Sequence, residues 1–383
     1  MRSPGLRQTA SVARVALVLV VAPCLVMGIV GGLIRAGTLP SLPQDFVTTH
    51  AFLMMCGFLG TAIAVERAVA VKSATAIAAV AAFAAAGLLT IIGLRAHAAW
   101  VAVVAAALFF GVNVRIFVRQ PVAHTALLVA AAIACVFGNL LYASGLHSQT
   151  AIAWWFCFLV LTVAAERLEI TRVTRRPRGA VVALYAIAGM LVAGCVVKPF
   201  SEPQGNLLFG LALLALAAWL ARFDIARRTV RAEGLSRYVA VCLLFGYAWL
   251  SVAGVAWMAS AFGYATRDIA LHALGLGFIF SMILGHAPIV LPAVARIELR
   301  FSPILYVPVA LLHGSLALRL AGGALDAINL RMGAAGNAIA IAVFVATVIT
   351  LVTRSAAPAS VGGASRTQIL RGRPRNRPAR TTR

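Results

Sequence analysis

The chain is a series of long apolar runs separated by short charged or Pro- and Gly-containing loops. Each run approaches the length of about 20 residues that a helix needs to cross a bilayer. Because the runs are continuous and rich in Ala and Leu, they predict helices and not the alternating strands of a barrel. Twelve runs can be marked, at residues 13–35, 46–69, 74–94, 98–117, 123–143, 151–169, 180–198, 205–222, 237–262, 269–293, 303–321 and 333–353. We therefore predict an all-α, polytopic membrane protein with twelve transmembrane helices.

The composition agrees with this pattern. The chain has 383 residues, of which 62% are hydrophobic and 11% are charged. A soluble domain is about half apolar and a quarter charged, so a soluble enzyme, a disordered protein and a disulfide scaffold are excluded. The six cysteines all lie inside apolar runs and form no C-x-x-C motif, so we expect them to be small packing residues.

The positions of the basic residues predict the orientation in the membrane. With the N-terminus in the cytoplasm, 27 Lys and Arg residues fall on the inside of the twelve spans and six fall on the outside. Such an excess is typical of cytoplasmic loops. We therefore predict a protein of the bacterial inner membrane with both termini in the cytoplasm. The net charge of +23 then reflects orientation and contact with lipid, not binding of nucleic acid.

The chain divides into a transmembrane domain, residues 1–353, and a tail, residues 354–383. The tail is rich in Arg, Pro and Gly and has almost no apolar residues. This composition predicts a disordered cytoplasmic segment that can rest on anionic lipid headgroups.

Spans 2, 6 and 10 share short sequence features. Span 2 ends with Glu66-Arg67 and span 6 with Glu166-Arg167, while His272-Ala273-Leu274 begins span 10 much as His50-Ala51-Phe52 begins span 2. This spacing predicts three four-helix units, although Ala-rich helices match one another easily. We expect each glutamate to pair with the arginine next to it and not to carry protons.

Two histidines have matching depths in the predicted bundle. His50 and His272 each lie about one turn inside the beginning of a span that runs from outside to inside. Two imidazoles at one depth are what the axial ligands of a single b-type haem require, since each gives one ring nitrogen to the iron. Small residues beside them, including Ala51 and Gly275, leave room for a flat macrocycle. The alternative is two separate histidines that hydrogen-bond to neighbouring helices.

A second pair of histidines is predicted deeper in the membrane. His286 lies fourteen residues after His272, which is about 21 Å along a helix and within about 40° of the same face. His313, near the middle of span 11, comes within about 5 Å of that depth. The pair could share a second haem, a copper or other metal, or a substrate. The alternative is two buried polar side chains satisfied by their neighbours.

The propionates of a haem near the outer face need cations. Arg319, near the outer end of span 11, is the best placed of the outer arginines, with Arg267 and Arg331 as alternatives. An arginine at the end of a span can equally be an interface anchor.

The beginning of span 2 resembles a known motif. Thr48-x-His50-Ala51-x-x-Met54 resembles the T-x-H-G-x-x-M segment of subunit I of haem–copper oxidases, in which that histidine binds the low-spin haem. Span 10, with His272-Ala273-Leu274-Gly275 and Ser281-Met282-Ile283-Leu284-Gly285-His286, resembles the same span of NnrS, a twelve-span haem-containing relative linked to nitric oxide stress. The resemblance implies a twelve-span scaffold with a haem on His50 and His272 and with Met54 beside it.

The resemblance does not extend to the copper site. Haem–copper oxidases carry copper-site histidines on spans 6 and 7, whereas span 6 here reads Trp154-Trp155-Phe156-Cys157 and span 7 has no histidine. Span 10 also lacks the H-x-H pair that holds both haems. A binuclear centre of the usual kind cannot be built, so the resemblance does not imply oxidase activity and leaves open whether the protein is an enzyme.

Three functions are compatible with the sequence. The first is an NnrS-like membrane haem protein that acts in nitric oxide or redox stress, or that transfers electrons to a redox partner protein. The second is a secondary transporter, which shares the twelve-span layout but usually has mid-membrane carboxylates and two halves of six helices. The third is a copper-handling protein, since soft ligands suit Cu(I). Its ligands would be Met54, Met55, Cys56, Met282 and His286.

Overall fold

The computed structural model describes residues 20–40, 46–145, 148–171, 177–295 and 297–356. All regular structure within these ranges is helical. Eleven of the helices are long and apolar enough to cross a membrane, and the first helix is shorter over the residues described. The prediction of an all-α, polytopic membrane protein is therefore confirmed.

Twelve helices, α1 to α12, follow the order of the predicted spans, and a short helix, Ala226–Thr229, lies between α8 and α9. The helices are α1 (Ala22–Arg35), α2 (Phe46–Phe52, Leu53–Gly60 and Thr61–Val71), α3 (Ala74–Ile91), α4 (Arg95–Arg119), α5 (Ala123–Ala143), α6 (Ser148–Ile170), α7 (Arg178–Val197), α8 (Glu202–Phe223), α9 (Gly234–Ala261), α10 (Arg267–His272, Ala273–Ile279 and Phe280–Ala295), α11 (Pro303–Leu305, Tyr306–Ala317 and Leu318–Gly322) and α12 (Ala327–Ala356).

The largest difference from the predicted spans is in α12. This helix begins at Ala327, ahead of the predicted residue 333, and ends at Ala356. The rest of the predicted tail, residues 357–383, lies outside the described residues, and so do the basic residues before residue 20.

The helices α2, α6 and α10 form the centre of the bundle. Their most apolar windows are 67%, 89% and 61% buried, whereas no other spanning helix in the described ranges exceeds 50%. Phe58 of α2 packs against Phe280 of α10, with ring centroids 5.8 Å apart. The three helices that share sequence features are thus the three with the least lipid-exposed surface. The four-helix repeat itself stays a prediction.

The helix α10 continues through two prolines. Pro288 and Pro292 both lie inside the segment Phe280–Ala295. Pro288 has no N–H to give to the carbonyl of Leu284, four residues before it. The hydroxyl of Tyr238 in α9 donates to that carbonyl at 3.0 Å. An interhelical hydrogen bond thus replaces the missing backbone bond, as a buried carbonyl in a membrane requires.

Small residues set the closest helix contacts. A Cβ atom at Gly210 of α8 would lie 2.6 Å from the carbonyl oxygen of Gly254 in α9, so no larger side chain fits there. Such residues let membrane helices pack backbone to backbone. All six cysteines are buried with free thiols, as expected of packing residues.

Candidate functional site

One cavity is lined by both His50 and His272. Its volume is about 320 Å³, which falls in the range of small-molecule pockets. The wall is mainly apolar, with side chains such as Leu33, Phe156 and Ile341. The charged residues of the wall belong to the end of the bundle where α1 and α11 end and α10 begins, which we call the outer end after the predicted orientation. They are Arg35, Arg267, Asp268 and Arg319.

His50 is oriented by the backbone of α1. Its Nδ1 lies 2.6 Å from the carbonyl oxygen of Gly28. Because a carbonyl only accepts, Nδ1 carries the proton and donates it, and Nε2 keeps its lone pair. The ring lies against Gly32, where a Cβ atom would be 3.0 Å from Cε1 of His50. The helix α1 therefore both orients the ring and leaves room for it.

His272 is oriented by an aspartate one turn before it. Its Nδ1 lies 3.0 Å from the backbone oxygen of Asp268 and 2.9 Å from Oδ1 of the same residue. Both partners are acceptors, so Nδ1 again donates and Nε2 keeps its lone pair. Within the described residues, Nε2 of neither His50 nor His272 has a hydrogen-bond partner. This is the usual state of a metal-ligating histidine, whose other nitrogen donates to a carbonyl or a carboxylate.

Arg319 lines the cavity but is held by Asp268. Its Nε donates to Oδ2 at 3.1 Å and its Nη2 donates to Oδ1 at 2.9 Å, in a bidentate pair. The side chain of Arg319 is only 9% exposed. Arg319, Asp268 and His272 therefore form one hydrogen-bonded chain in the cavity wall. We predicted Arg319 as the first partner of a propionate, and the structure gives its guanidinium a carboxylate of the protein instead.

Arg35 and Arg267 line the cavity without an ion-pair partner among the described residues. Both line it and both are exposed. Among the described residues, neither has a carboxylate within ion-pair distance. Arg331, the other predicted alternative, lies beside Gly37 and does not line the cavity. Sequence reasoning had named Arg267 but not Arg35, which looks like an ordinary anchor at the end of a span.

The three helices that carry the predicted ligands and cation change from α- to π-helical hydrogen bonding beside them. The π segment Leu53–Gly60 follows His50 closely, Ala273–Ile279 follows His272 directly, and Leu318–Gly322 contains Arg319. Such π-helical turns occur frequently at functional sites. The predicted Met54 lies in the first of these segments and lines the cavity.

The soft ligands of the copper hypothesis do not meet at one point. Met54 and Met55 line the cavity, but Sγ of Cys56 donates to Oδ1 of Asn139 at 3.1 Å. Met282 packs its methyl group against Gly246. The part of the chain that the structure describes holds no group of three or more His, Cys, Asp or Glu side chains that could bind a metal ion. A haem with two axial histidines does not need such a group.

His286 lies toward the other end of α10, in a buried ionic network. Its Nδ1 donates to the carbonyl of Met282 at 2.7 Å, and its Nε2 accepts from Nη1 of Arg167 at 3.4 Å. Arg167 also donates twice to Asp224, at 2.7 and 3.0 Å. Both nitrogens of His286 are therefore engaged by the protein.

Glu166 and Arg167 each pair with a residue outside α6, so the expected pair between these two sequence neighbours is wrong. Arg67 of α2 donates to Glu166 of α6 at 3.2 Å, and Arg167 binds Asp224. Successive residues of a helix point about 100° apart and do not face each other. The partners therefore come from neighbouring helices.

His313 has partners of its own. Nε1 of Trp249 donates to its Nδ1 at 3.0 Å, and the ring stacks on Phe245 with centroids 4.6 Å apart. Its Nε2 is buried without a partner among the described residues. His286 and His313 have no hydrogen-bond partner in common in the part of the chain that the structure describes, so the structure does not join them in the predicted second site.

Two other histidines, His97 and His124, lie at the beginnings of α4 and α5. His97 is exposed at the beginning of α4. His124 lies 3.9 Å from Glu169, measured from Nε2 to Oε1. His147 is outside the described residues.

Comparison with known proteins identifies a family but no function. A family model described as "Domain of unknown function (DUF8744)" matches residues 14–353. No curated protein and no solved structure matches the chain. The resemblance to NnrS and to haem–copper oxidases thus rests on the motifs of spans 2 and 10.

Proposed function

We propose that the chain, which belongs to the DUF8744 family, is an integral membrane protein that binds one b-type haem between His50 and His272. The observation that carries the proposal is the matched state of the two rings. Both line one cavity, both donate through Nδ1 to a protein oxygen, and neither has a partner at Nε2 among the residues that the structure describes. A bis-histidine haem needs two such nitrogens.

The cavity wall suits the rest of a haem. The macrocycle is apolar and flat, and the wall offers apolar side chains together with Gly32 and Gly275 beside the histidines. The two propionates are anionic, and Arg35 and Arg267 are two cations of the wall without a carboxylate partner among the described residues. Arginine binds carboxylates well because its planar fork can form two parallel hydrogen bonds.

The placement in the cell follows from the charge of the loops. We propose the inner membrane of a bacterium with both termini in the cytoplasm, since 27 of the 33 basic residues then lie inside. In this orientation the cavity lies at the periplasmic end. A redox partner would reach it from that side.

Coordination by two histidines restricts the chemistry. A haem with both axial positions filled supplies one-electron transfer and binds a gas only after it loses a ligand. The role we propose is electron transfer to a partner protein, or a redox function in nitric oxide stress of the kind that the resemblance to NnrS implies. We do not extend the proposal to a second haem or a copper at His286, because both of its nitrogens have protein partners.

The test is the optical spectrum of the purified full-length protein in detergent. We expect a reduced-minus-oxidised b-type spectrum with about one haem per chain. His50→Ala and His272→Ala should each abolish this spectrum, because a single axial histidine holds the haem far more weakly than two do. His97→Ala, at an exposed histidine away from the cavity, is the matched control and should leave the spectrum unchanged.

A colourless wild-type protein, expressed with haem in excess, would overturn the proposal. If that protein supported ion-coupled uptake of a solute in vesicles, the transporter hypothesis would replace it. If instead the protein contained copper, and replacing Met54 and Cys56 removed it, the copper hypothesis would replace the haem proposal.

A further inference from the structure

The two histidines of the site differ in what their Nδ1 atoms contact. Nδ1 of His50 donates to a neutral backbone carbonyl, that of Gly28. Nδ1 of His272 lies 2.9 Å from a carboxylate oxygen of Asp268, in addition to the backbone oxygen of the same residue. A hydrogen bond to a carboxylate makes an imidazole more basic than a bond to a carbonyl does. The site is therefore electronically asymmetric.

The carboxylate is in turn held by a cation. Arg319 binds both oxygens of Asp268, at 2.9 and 3.1 Å. One oxygen of Asp268, Oδ1, accepts a hydrogen bond from Nη2 of Arg319 and also lies 2.9 Å from Nδ1 of His272. Arg319 therefore draws negative charge away from the bond to His272, and it also fixes the rotamer of Asp268.

We infer that Asp268 is a positioning residue that makes His272 the more strongly donating axial ligand and thereby sets the reduction potential of the haem, with Arg319 moderating its effect. This inference rests on the proposed haem. A more basic ligand stabilises the ferric iron, which has the higher positive charge, and so lowers the potential. Removing the carboxylate should raise the potential, and removing Arg319 should lower it.

The hydrogen bond from His272 to the backbone oxygen of residue 268 allows the effect of the carboxylate to be tested separately from the orientation of the ring. In Asp268→Asn the backbone oxygen of residue 268 still accepts from Nδ1 of His272, so the ring keeps one of its two orienting contacts. The two axial ligands then become alike. The variant should therefore still bind haem through both histidines, while His272 becomes a weaker donor to the iron.

The experiment is a redox titration of the full-length, haem-loaded protein, in which the wild type is compared with four variants. In Asp268→Asn we expect at least a tenfold shift of the reduction equilibrium toward the reduced form, which is about 59 mV for one electron. Asp268→Glu should return the potential toward the wild-type value. Arg319→Gln should shift it the other way. Glu202→Gln removes a carboxylate that pairs with Lys198 and not with a histidine, so it controls for loss of charge alone.

The electron paramagnetic resonance spectrum of the ferric protein gives an independent readout. A weaker axial ligand in Asp268→Asn should change the g-values, whereas the loss of the Glu202 carboxylate, which pairs with Lys198 and not with a histidine, should not. If Asp268→Asn and Glu202→Gln shift the potential equally with unchanged g-values, the inference is wrong. It is also wrong if Asp268→Asn loses haem as completely as His272→Ala, because Asp268 would then only hold the ring.

The two proposals can fail separately. A wild-type protein without haem removes the proposed function, and this inference falls with it. A wild-type protein with a b-type spectrum, whose potential does not respond to Asp268, removes the inference and leaves the function standing.

Discussion

At Gly32 the absence of a side chain admits the imidazole of His50. A Cβ atom there would lie 3.0 Å from Cε1 and 3.2 Å from Nδ1 of that ring. These distances are below ordinary van der Waals contact, so a Cβ atom would push the ring by a few tenths of an ångström out of the position in which it bonds to Gly28. The orientation of one ligand thus depends on a residue that has no functional group.

Gly32→Ala should therefore lower the haem content of the purified protein by several-fold while the chain still folds. The control is Gly111→Ala in α4, where a Cβ atom would meet nothing within 4 Å. That variant should keep the wild-type haem-to-protein ratio, measured from the absorbance of the haem and of the protein. Equal ratios in both variants would contradict the role we give to Gly32.

The sequence predicts the histidines of the site better than its other residues. Ionisable groups inside a span are rare and expensive, so His50 and His272 stand out. Asp268 and Arg35 lie at the ends of helices, where charged residues are ordinary. Only the fold brings them to the same cavity, and only atomic distances show that Arg319 is already paired.

Among the elements, α6 is joined to the segment after α8 by a buried ion pair between Arg167 and Asp224, and Arg167 also donates to His286 of α10. The side chains of Arg167 and Asp224 are 3% and 1% exposed. Asp224 also accepts from the backbone N–H of Ala226, at the start of the short helix. Both carboxylate oxygens of Asp224 therefore accept hydrogen bonds and each guanidinium nitrogen of Arg167 donates one, which helps a buried pair to be tolerated.

Arg167→Met should destabilise the protein by about 3–5 kcal/mol, because it leaves the Asp224 carboxylate buried without its partner. Adding Asp224→Asn should recover part of that loss, since a neutral amide oxygen can still accept from Ala226. Glu202→Gln, at a pair whose glutamate is 65% exposed, should cost at most about 1 kcal/mol. Thermal or denaturant unfolding in detergent measures all three, and equal costs for Arg167→Met and Glu202→Gln would refute the argument.

The sequence predicts the helices but not their pairing. Twelve apolar runs predict the spans closely, because each run must satisfy its own backbone in lipid. The sequence predicts the wrong partner for Glu166, since successive residues of a helix do not face each other: its partner is Arg67 of another helix. The π segments have no recognisable signature in the sequence, as the same apolar residues form ordinary α-turns elsewhere.

At the scale of the whole molecule, two exposed cations lie in the wall of the cavity and have no carboxylate within ion-pair distance among the described residues. Arg35 comes from α1 and Arg267 from α10, so the two cations meet only when the bundle is assembled. If they hold two propionates, each contributes charge-assisted hydrogen bonds to the ligand. Salt should weaken this part of the binding, because both side chains are exposed.

The double variant Arg35→Gln/Arg267→Gln should therefore lose haem faster than the wild type in the presence of a haem scavenger. The difference should shrink at high salt. Arg115→Gln/Arg119→Gln removes two exposed charges from the other end of the molecule and is the control. Equal rates in the two double variants would show that the two cations of the cavity wall do not hold the ligand.

The π segments also bear on how this protein could be compared with distant relatives. A π-turn holds one more residue than an α-turn, so losing one residue there would rotate the preceding part of the helix by about 100°. In α2 that change would turn His50 away from the interior, and in α10 it would do the same to His272. An ancestral bundle could therefore gain or lose this paired arrangement by single-codon insertions and deletions. Alignments that forbid gaps within helices would then place the wrong residue opposite each histidine.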